Sequence, residues 1–331
     1  SHRSVLLPVV LALFSGCATP FSPDIEAPPY VDGTPTGLRL IFTDAADMRG
    51  FIGLPAASGG TQFRAALDAL DALDATGAGA FLLSPGDIDP SAAVRAAIDD
   101  SALGATYPWF PVIGNHEAET AADMDYLRSY SLPSGAASVS NFVYGPAGAA
   151  NTMYSFDAGG AHFAVINEYY DGASDVGADP SDADAGTISA ATLAWLEADL
   201  AAAGARSPDY VFVVGHEPIW PLPDEASGRL RHRGDSLDAH PKAAERFLEL
   251  LRAYAVSAYL CGHTHNYSAA LVDGVLQIDA GHARGTGDTG APSTFLRFQL
   301  YDNMAVMTAY RSADGAHYLA QGEVRMPTRT P

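Results

Sequence analysis

Residues 109–117 read WFPVIGNHE: a short apolar and aromatic run enters Gly114, and the polar trio Asn115, His116 and Glu117 follows at once. Such a run, closed by a glycine, is the pattern of a buried β-strand entering a tight loop. The pattern recurs on both sides. LRLIFT precedes Asp44, AFLLS precedes Gly86 and Asp87, YVFVV precedes Gly215 and His216, and VSAYL precedes Cys261 in CGHTH, which carries His263 and His265. In an α/β sheet the loops beyond the carboxyl ends of the strands converge on one crevice, so polar residues far apart in sequence meet there. Carboxylates, an amide oxygen and several imidazoles together suit borderline divalent ions such as Zn, Mn or Fe.

The ordered series GD, GNHE, GH and GHTH resembles that of the calcineurin-like metallophosphoesterases, a superfamily that includes the purple acid phosphatases; the resemblance runs over roughly residues 38 to 282. It implies an α/β fold with a four-layer α/β/β/α sandwich, two mixed β-sheets packed face to face with helices outside. It also implies two divalent metal ions about 3.5 Å apart. On the matching positions, Asp87 is the bridging carboxylate, Asn115, His216 and His263 complete one metal, and Asp44 and His265 hold the other. His116 matches the general acid or transition-state stabiliser, with Glu117 as the partner that orients it. The activity implied is hydrolysis of phosphomonoesters or phosphodiesters by a metal-activated hydroxide.

One departure falls in the first block. The family's usual Asp-x-His would place a histidine at position 46, which is Ala46, and the tyrosine that purple acid phosphatases use three residues past the bridging aspartate is here Pro90. No ferric charge-transfer colour is therefore expected. Asp47, Asp89 or water would have to complete the first metal. The alternative reading is a one-metal or metal-free envelope binding protein for a phosphorylated ligand; the retained His116 argues against it.

Substrate contacts are expected from Tyr170 in NEYYDG, Arg231 and His232 in RLRHR, and His282 and Arg284 in GHARG. Arginine forks suit phosphate oxygens. Equally, these arginines have Glu225, Asp235, Asp238 and Asp288 nearby to neutralise.

Helical periodicity marks residues 61–76, 120–130, 188–203 and 242–255, the third capped by Ser189, and TFLRFQLYD with MAVMTAYRS reads as a terminal hairpin. Residues 131–151 and 171–187 read as irregular rims of the site. At the N-terminus, His2 and Arg3 precede VLLPVVLALF and then Ser15, Gly16 and Cys17, which reads as a bacterial lipoprotein signal over 1–17. A Pro-rich linker over 18–36 would follow, then one metallophosphoesterase domain over 37–331. The expected location is the cell envelope, anchored by lipid on Cys17, or the periplasm or exterior. With 18 Lys plus Arg against 39 Asp plus Glu, a formal charge of −21, the surface repels nucleic acid and suits a small phosphoester substrate better than a polyanion.

Overall fold

The computed structural model describes residues 21–73, 77–177 and 186–329. The signal read over 1–17, Cys17, and part of the acidic rim lie outside them. Two sheets carry the chain. An eight-stranded sheet has the order β1 (Ile25–Glu26), β10 (Tyr267–Val272), β11 (Val275–Ala280), β9 (Ala258–Cys261), β8 (Tyr210–Val214), β7 (Ala161–Val165), β6 (Tyr154–Ala158), β5 (Ser140–Tyr144). A six-stranded sheet has the order β14 (Leu319–Pro327), β13 (Met304–Ser312), β12 (Ser293–Leu300), β2 (Leu40–Asp44), β3 (Leu82–Ser84), β4 (Trp109–Pro111). All five runs that enter the polar blocks are strands.

Strands at the centre of each sheet are apolar on both faces because both faces are covered. On β8, Tyr210, Phe212 and Val214 face the other sheet while Val211 and Val213 face helices. Between the sheets phenylalanines dominate: Phe42 stacks on Phe298 at 4.5 Å and meets Phe163 of the opposite sheet edge-on at 5.1 Å. Such pairs add about 0.5–1.5 kcal/mol each beyond their area burial.

Helices α1 (Phe63–Asp71), α2 (Ser91–Asp100) and α4 (Ala121–Ser129) cover the six-stranded sheet through Phe63, Leu67, Ile98 and Leu127. Helices α5 (Ala190–Gly204) and α6 (Pro241–Ala253) cover the other sheet through Leu196, Leu200, Phe247 and Leu251. The result is the expected four-layer sandwich. The Ser189 hydroxyl accepts the Thr192 N–H at 3.1 Å, capping α5 where the sequence placed its start.

Three segments differ from the sequence reading. Residues 131–151 contain the edge strand β5, and a third strand, β14, follows the expected hairpin and pairs with β13. From Phe21 onward the stretch read as a linker lies along the domain. Phe21 packs edge-on against Trp220 at 5.5 Å, β1 pairs with β10, and Asn303 binds the backbone of both Thr34 and Thr36. Short backbone pairing and one aromatic contact suffice to seat a proline-rich segment that has no core of its own. His162 lies on β7, and its ring sits between Asp157 and Asp199 at 2.7 and 2.8 Å.

Candidate metal centre

The carboxyl ends of β2, β3 and β4 in one sheet and of β8 and β9 in the other open onto a single rim. Two glycines let their loops touch. A Cβ on Gly86, whose φ is +79°, would stand 2.4 Å from His216 Nδ1, and one on Gly114 would stand 2.6 Å from Asp87 Oδ1. No side chain fits either place. Of nine non-glycine residues with positive φ among those described, five line this rim: Asp47, Asp87, His232, His263 and His265. Strained backbone concentrated at one place is a mark of a site held by its surroundings.

Four donors converge at the centre. His216 Nε2 lies 3.2 Å from Asn115 Oδ1, 3.4 Å from Asp87 Oδ1 and 3.2 Å from His263 Nδ1. Ligands about 2.0–2.1 Å from a zinc-like ion in a tetrahedron stand about 3.3–3.4 Å from one another, so the spacing fits a cation. The His216 Nδ1–H donates to the Pro85 carbonyl at 2.8 Å, which leaves Nε2 as the lone pair facing the other three. Burial drives His263 and His265 well below the ordinary imidazole range and lowers His216 too, so the rings are neutral and able to ligate.

The group that would hold the first metal shares Asp87 with the four donors above, which would hold the second. Donor atoms of Asp47, Asp87 and His265 lie within 4.8 Å of one another, with Asp47 Oδ1 3.6 Å from His265 Nε2. Asp47 Oδ1 has no hydrogen-bond partner, while Oδ2 accepts the His263 N–H at 2.9 Å. Burial, and then the facing Asp87, push the Asp47 carboxyl well above the usual range, a cost that a cation would relieve.

Asp44, the first-block ligand expected from sequence, stands outside this group. It is the last residue of β2, paired with Leu296 and Leu83, and shares the inward face of Phe42. Neither of its oxygens has a hydrogen-bond partner, and burial, then Asp279, raise its carboxyl well above the usual range. The chain then turns back, with Asp47 N–H on the Gly86 carbonyl at 3.1 Å and Arg49 N–H on that of Asp87 at 3.0 Å, and this pairing carries Asp47 to the rim. Asp47→Asn is therefore expected to lower metal content, while Asp44→Asn leaves it unchanged; elemental analysis of the two proteins decides, and loss of metal only in the Asp44 variant would reverse the assignment. Asp89 is not in either ligand group: its Oδ2 lies 3.5 Å from Arg49 Nε, and burial and Asp87 raise its carboxyl.

His116, on the short helix α3 (Asn115–Glu119), places Nε2 3.6 Å from Asp87 Oδ2. Its Nδ1 lies 3.4 Å from Glu119, not Glu117. Glu117 is wholly buried and points the other way, accepting the backbone N–H of Gly114 at 2.8 Å, Asp87 at 3.0 Å and Ile88 at 2.8 Å. It braces the loop that carries the shared carboxylate. The helical turn explains the exchange: residues three apart share a face, which puts Glu119 and His116 together.

Other supports were not legible in the blocks. Asp288 accepts from His265 Nδ1 at 2.9 Å and from Arg229 at 2.7 Å, giving a carboxylate–histidine pair behind the first group. Glu168 accepts the N–H of His216 at 3.1 Å and of Glu217 at 2.8 Å, and burial raises its carboxyl to about 7. Asp288 was read from sequence only as a neighbour of the arginines, where its pairs with Arg229 and Arg231 place it; nothing in sequence distance points it at His265, or Glu168 at His216.

Of the expected substrate contacts, two face elsewhere. Tyr170 is buried with Ala149 and Met153, its hydroxyl donating to the Gly172 carbonyl at 3.0 Å. His282 is fully buried, bonded to the Ala291 carbonyl at 3.1 Å and to the Arg284 N–H at 3.2 Å. Both are held in the fold by these backbone bonds, Tyr170 away from the site and His282 behind the rim, its ring 6.0 Å from that of His265. The other three are at the rim. Arg231 reaches the ring edge of His265 and lies 3.7 Å from Asp288, the His232 ring lies 4.2 Å from that of His263, and the Arg284 Nε donates to the Asp47 carbonyl at 2.6 Å.

Comparison with known proteins agrees with the fold. Tartrate-resistant acid phosphatase type 5 of Rattus norvegicus is 40% identical over 74 residues, 22% of this chain and 18% of that protein. Purple acid phosphatase 15 of Arabidopsis thaliana is 27% identical over 172 residues, 50% of this chain and 26% of that protein. The matches thus span about a fifth to a quarter of the length of these relatives. A purple acid phosphatase from yellow lupin (Lupinus luteus) seeds has the same fold, with a TM-score of 0.54 at 13% identity over 91% of this chain and 55% of its own. The family model for calcineurin-like phosphoesterases matches residues 40–267, well over half of the 331, and the chain belongs to that family.

Proposed function

We propose that the protein is a metal-dependent phosphoric ester hydrolase acting on small phosphomonoesters or phosphodiesters at a dinuclear site. The observation that carries this reading is the four-donor cluster of Asp87, Asn115, His216 and His263 sharing its carboxylate with Asp47 and His265. These residues would hold two cations, which would supply Lewis acidity toward a phosphoryl oxygen and a more acidic water.

The chain's own residues do the rest. Asp87 links the two groups, and Asp288 and Pro85 fix the tautomers of His265 and His216. His116, a fifth exposed and beside Asp87, stands where it can give a proton to the departing alcohol oxygen, with Glu119 holding its far nitrogen. Arg231 and His232 form the wall on the side of His265 and His263, where a phosphate oxygen or leaving group would lie. No protein nucleophile is required. The N-terminal apolar run and Cys17 support export with lipid anchoring as part of the same reading.

The test is metal content per chain on protein purified without chelators, with hydrolysis of a chromogenic phosphomonoester and diester assayed on the same sample. Two metals with turnover support the hydrolase; one metal or none, and no turnover after Mn or Zn is added, would favour a binding protein for a phosphorylated ligand.

A further inference from the structure

Arg284 is bonded to the backbone of Asp47, a member of the first group, without belonging to either ligand group. It follows β11 in the loop that carries His282, and it is 7% exposed. Its Nε donates to the Asp47 carbonyl, and the N–H of the preceding Ala283 donates to the Ala46 carbonyl at 2.9 Å. The loop is thus zipped onto the turn where the family's usual histidine is replaced by Ala46. The guanidinium Nη2 is buried and has no hydrogen-bond partner. Burial disfavours the charge, and the carboxylates of Asp47 and Asp87 favour it most among its neighbours. A guanidinium keeps its proton under such conditions.

The charge count around the two positions therefore differs. At the first, the carboxylates of Asp47 and Asp87 with the Arg284 guanidinium sum to a formal charge of −1, where the two carboxylates alone would sum to −2; behind His265, Asp288 is paired with Arg229, and Arg231 adds one further positive charge. At the second, Asp87 is joined by an amide and two neutral imidazoles, and no hydrogen bond ties a guanidinium to any of them. The donor geometry differs in the same direction: contacts of 3.2–3.4 Å at the second position against 3.6 Å between Asp47 and His265 at the first.

We propose that Arg284, tied to the turn where Ala46 stands in place of an imidazole, is a resident counter-charge for the first position, and that it makes the centre asymmetric. The four-donor position fills tightly; the Asp47–Asp87–His265 position holds its cation weakly and exchanges it. Occupancy of the first position then follows the free concentration of divalent metal. This inference rests on the dinuclear reading above.

Calorimetric titration of the chelator-stripped full chain with Mn(II) alone tests it, on the natural protein and on Arg284→Gln, Arg284→Met and Arg284→Lys. Melting temperatures confirm that each is folded, and the Met variant keeps the buried stem if the Gln variant does not fold. The natural protein is expected to show two classes of site differing by at least about a hundredfold. Either neutral variant should tighten the weaker class by at least about tenfold and leave the tighter class within about twofold, while Lys, which keeps the charge, tracks the natural protein. Equal affinities in the natural protein, or a weaker class left unchanged or loosened in the neutral variants, would overturn the proposal. A common shift in Lys and the neutral variants would also overturn it, making Arg284 a brace for the turn. Failure of the natural protein to bind any Mn(II) would overturn the dinuclear reading itself and this inference with it.

Discussion

Asp87→Ala is expected to strip the protein of most of its metal and to lower turnover by more than about a thousandfold. Asp87 is the one residue common to both donor groups: Oδ1 lies 3.4 Å from His216 Nε2, and the residue also sits in the cluster with Asp47 and His265. Its removal deletes a donor from each position and removes the carboxylate beside His116 Nε2. Loss of a group that merely supports a ligand costs about 10–100-fold in metal affinity, so loss of a shared ligand should exceed that at both positions. Elemental analysis and hydrolysis of a chromogenic ester on one preparation measure both effects. Unchanged turnover in this variant would place the reaction away from the cluster. His116→Ala provides the contrast, since His116 is in neither donor group: turnover should fall by about 10²–10⁴-fold while metal content stays close to that of the natural protein.

Glu117→Gln is expected to act through the fold. The carboxylate accepts three backbone N–H groups, from Gly114, Asp87 and Ile88, and is wholly buried. Glutamine has one acceptor oxygen, and its amide would turn a donor toward at least one N–H that already donates. A buried donor left unmet costs about 1–3 kcal/mol, with more for a charge-assisted bond. A loss of about 2–4 kcal/mol in denaturant unfolding is therefore expected, with weakened metal binding as the Asp87 loop loosens. If stability and metal affinity both match those of the natural protein, Glu117 does not brace the loop. Had Glu117 acted by orienting His116, the same variant would lower turnover at full stability, so the two roles separate cleanly.

The site-bearing strands and the rim were legible because strand-then-glycine blocks impose themselves locally. WFPVI, YVFVV and VSAYL are apolar on both faces, and only a strand covered on both sides reads that way. The five site blocks lie at strand ends for the same reason, and Asn115, His216, His263 and His265 meet at one rim without any tertiary information beyond that rule. Asp47 was not distinguishable from Asp44 in this way. Both are aspartates at the end of one strand, three residues apart, and which of them reaches the rim depends on how the following turn pairs with the Gly86 and Asp87 carbonyls. Glu117 and Glu119 posed the same problem on a single helical turn. Tyr170 and His282 follow strands just as the ligands do, yet their polar atoms are met by backbone groups of the fold itself.

By itself, then, the sequence determined the strands and the residue types gathered at the rim, since burial pattern and glycine-bounded turns are properties of a dozen neighbouring residues, while the family and the two-sheet architecture came from the resemblance carried by the ordered blocks. Only the tertiary structure decided which carboxylate joins the centre, which one braces it, and that Arg284 lies beside the position lacking a histidine. Those outcomes depend on hydrogen bonds between segments as far apart as Asp47 and Arg284, separated by 237 residues along the chain. Side chains of the same chemical type differ there only in the backbone groups and charges that the fold sets against them.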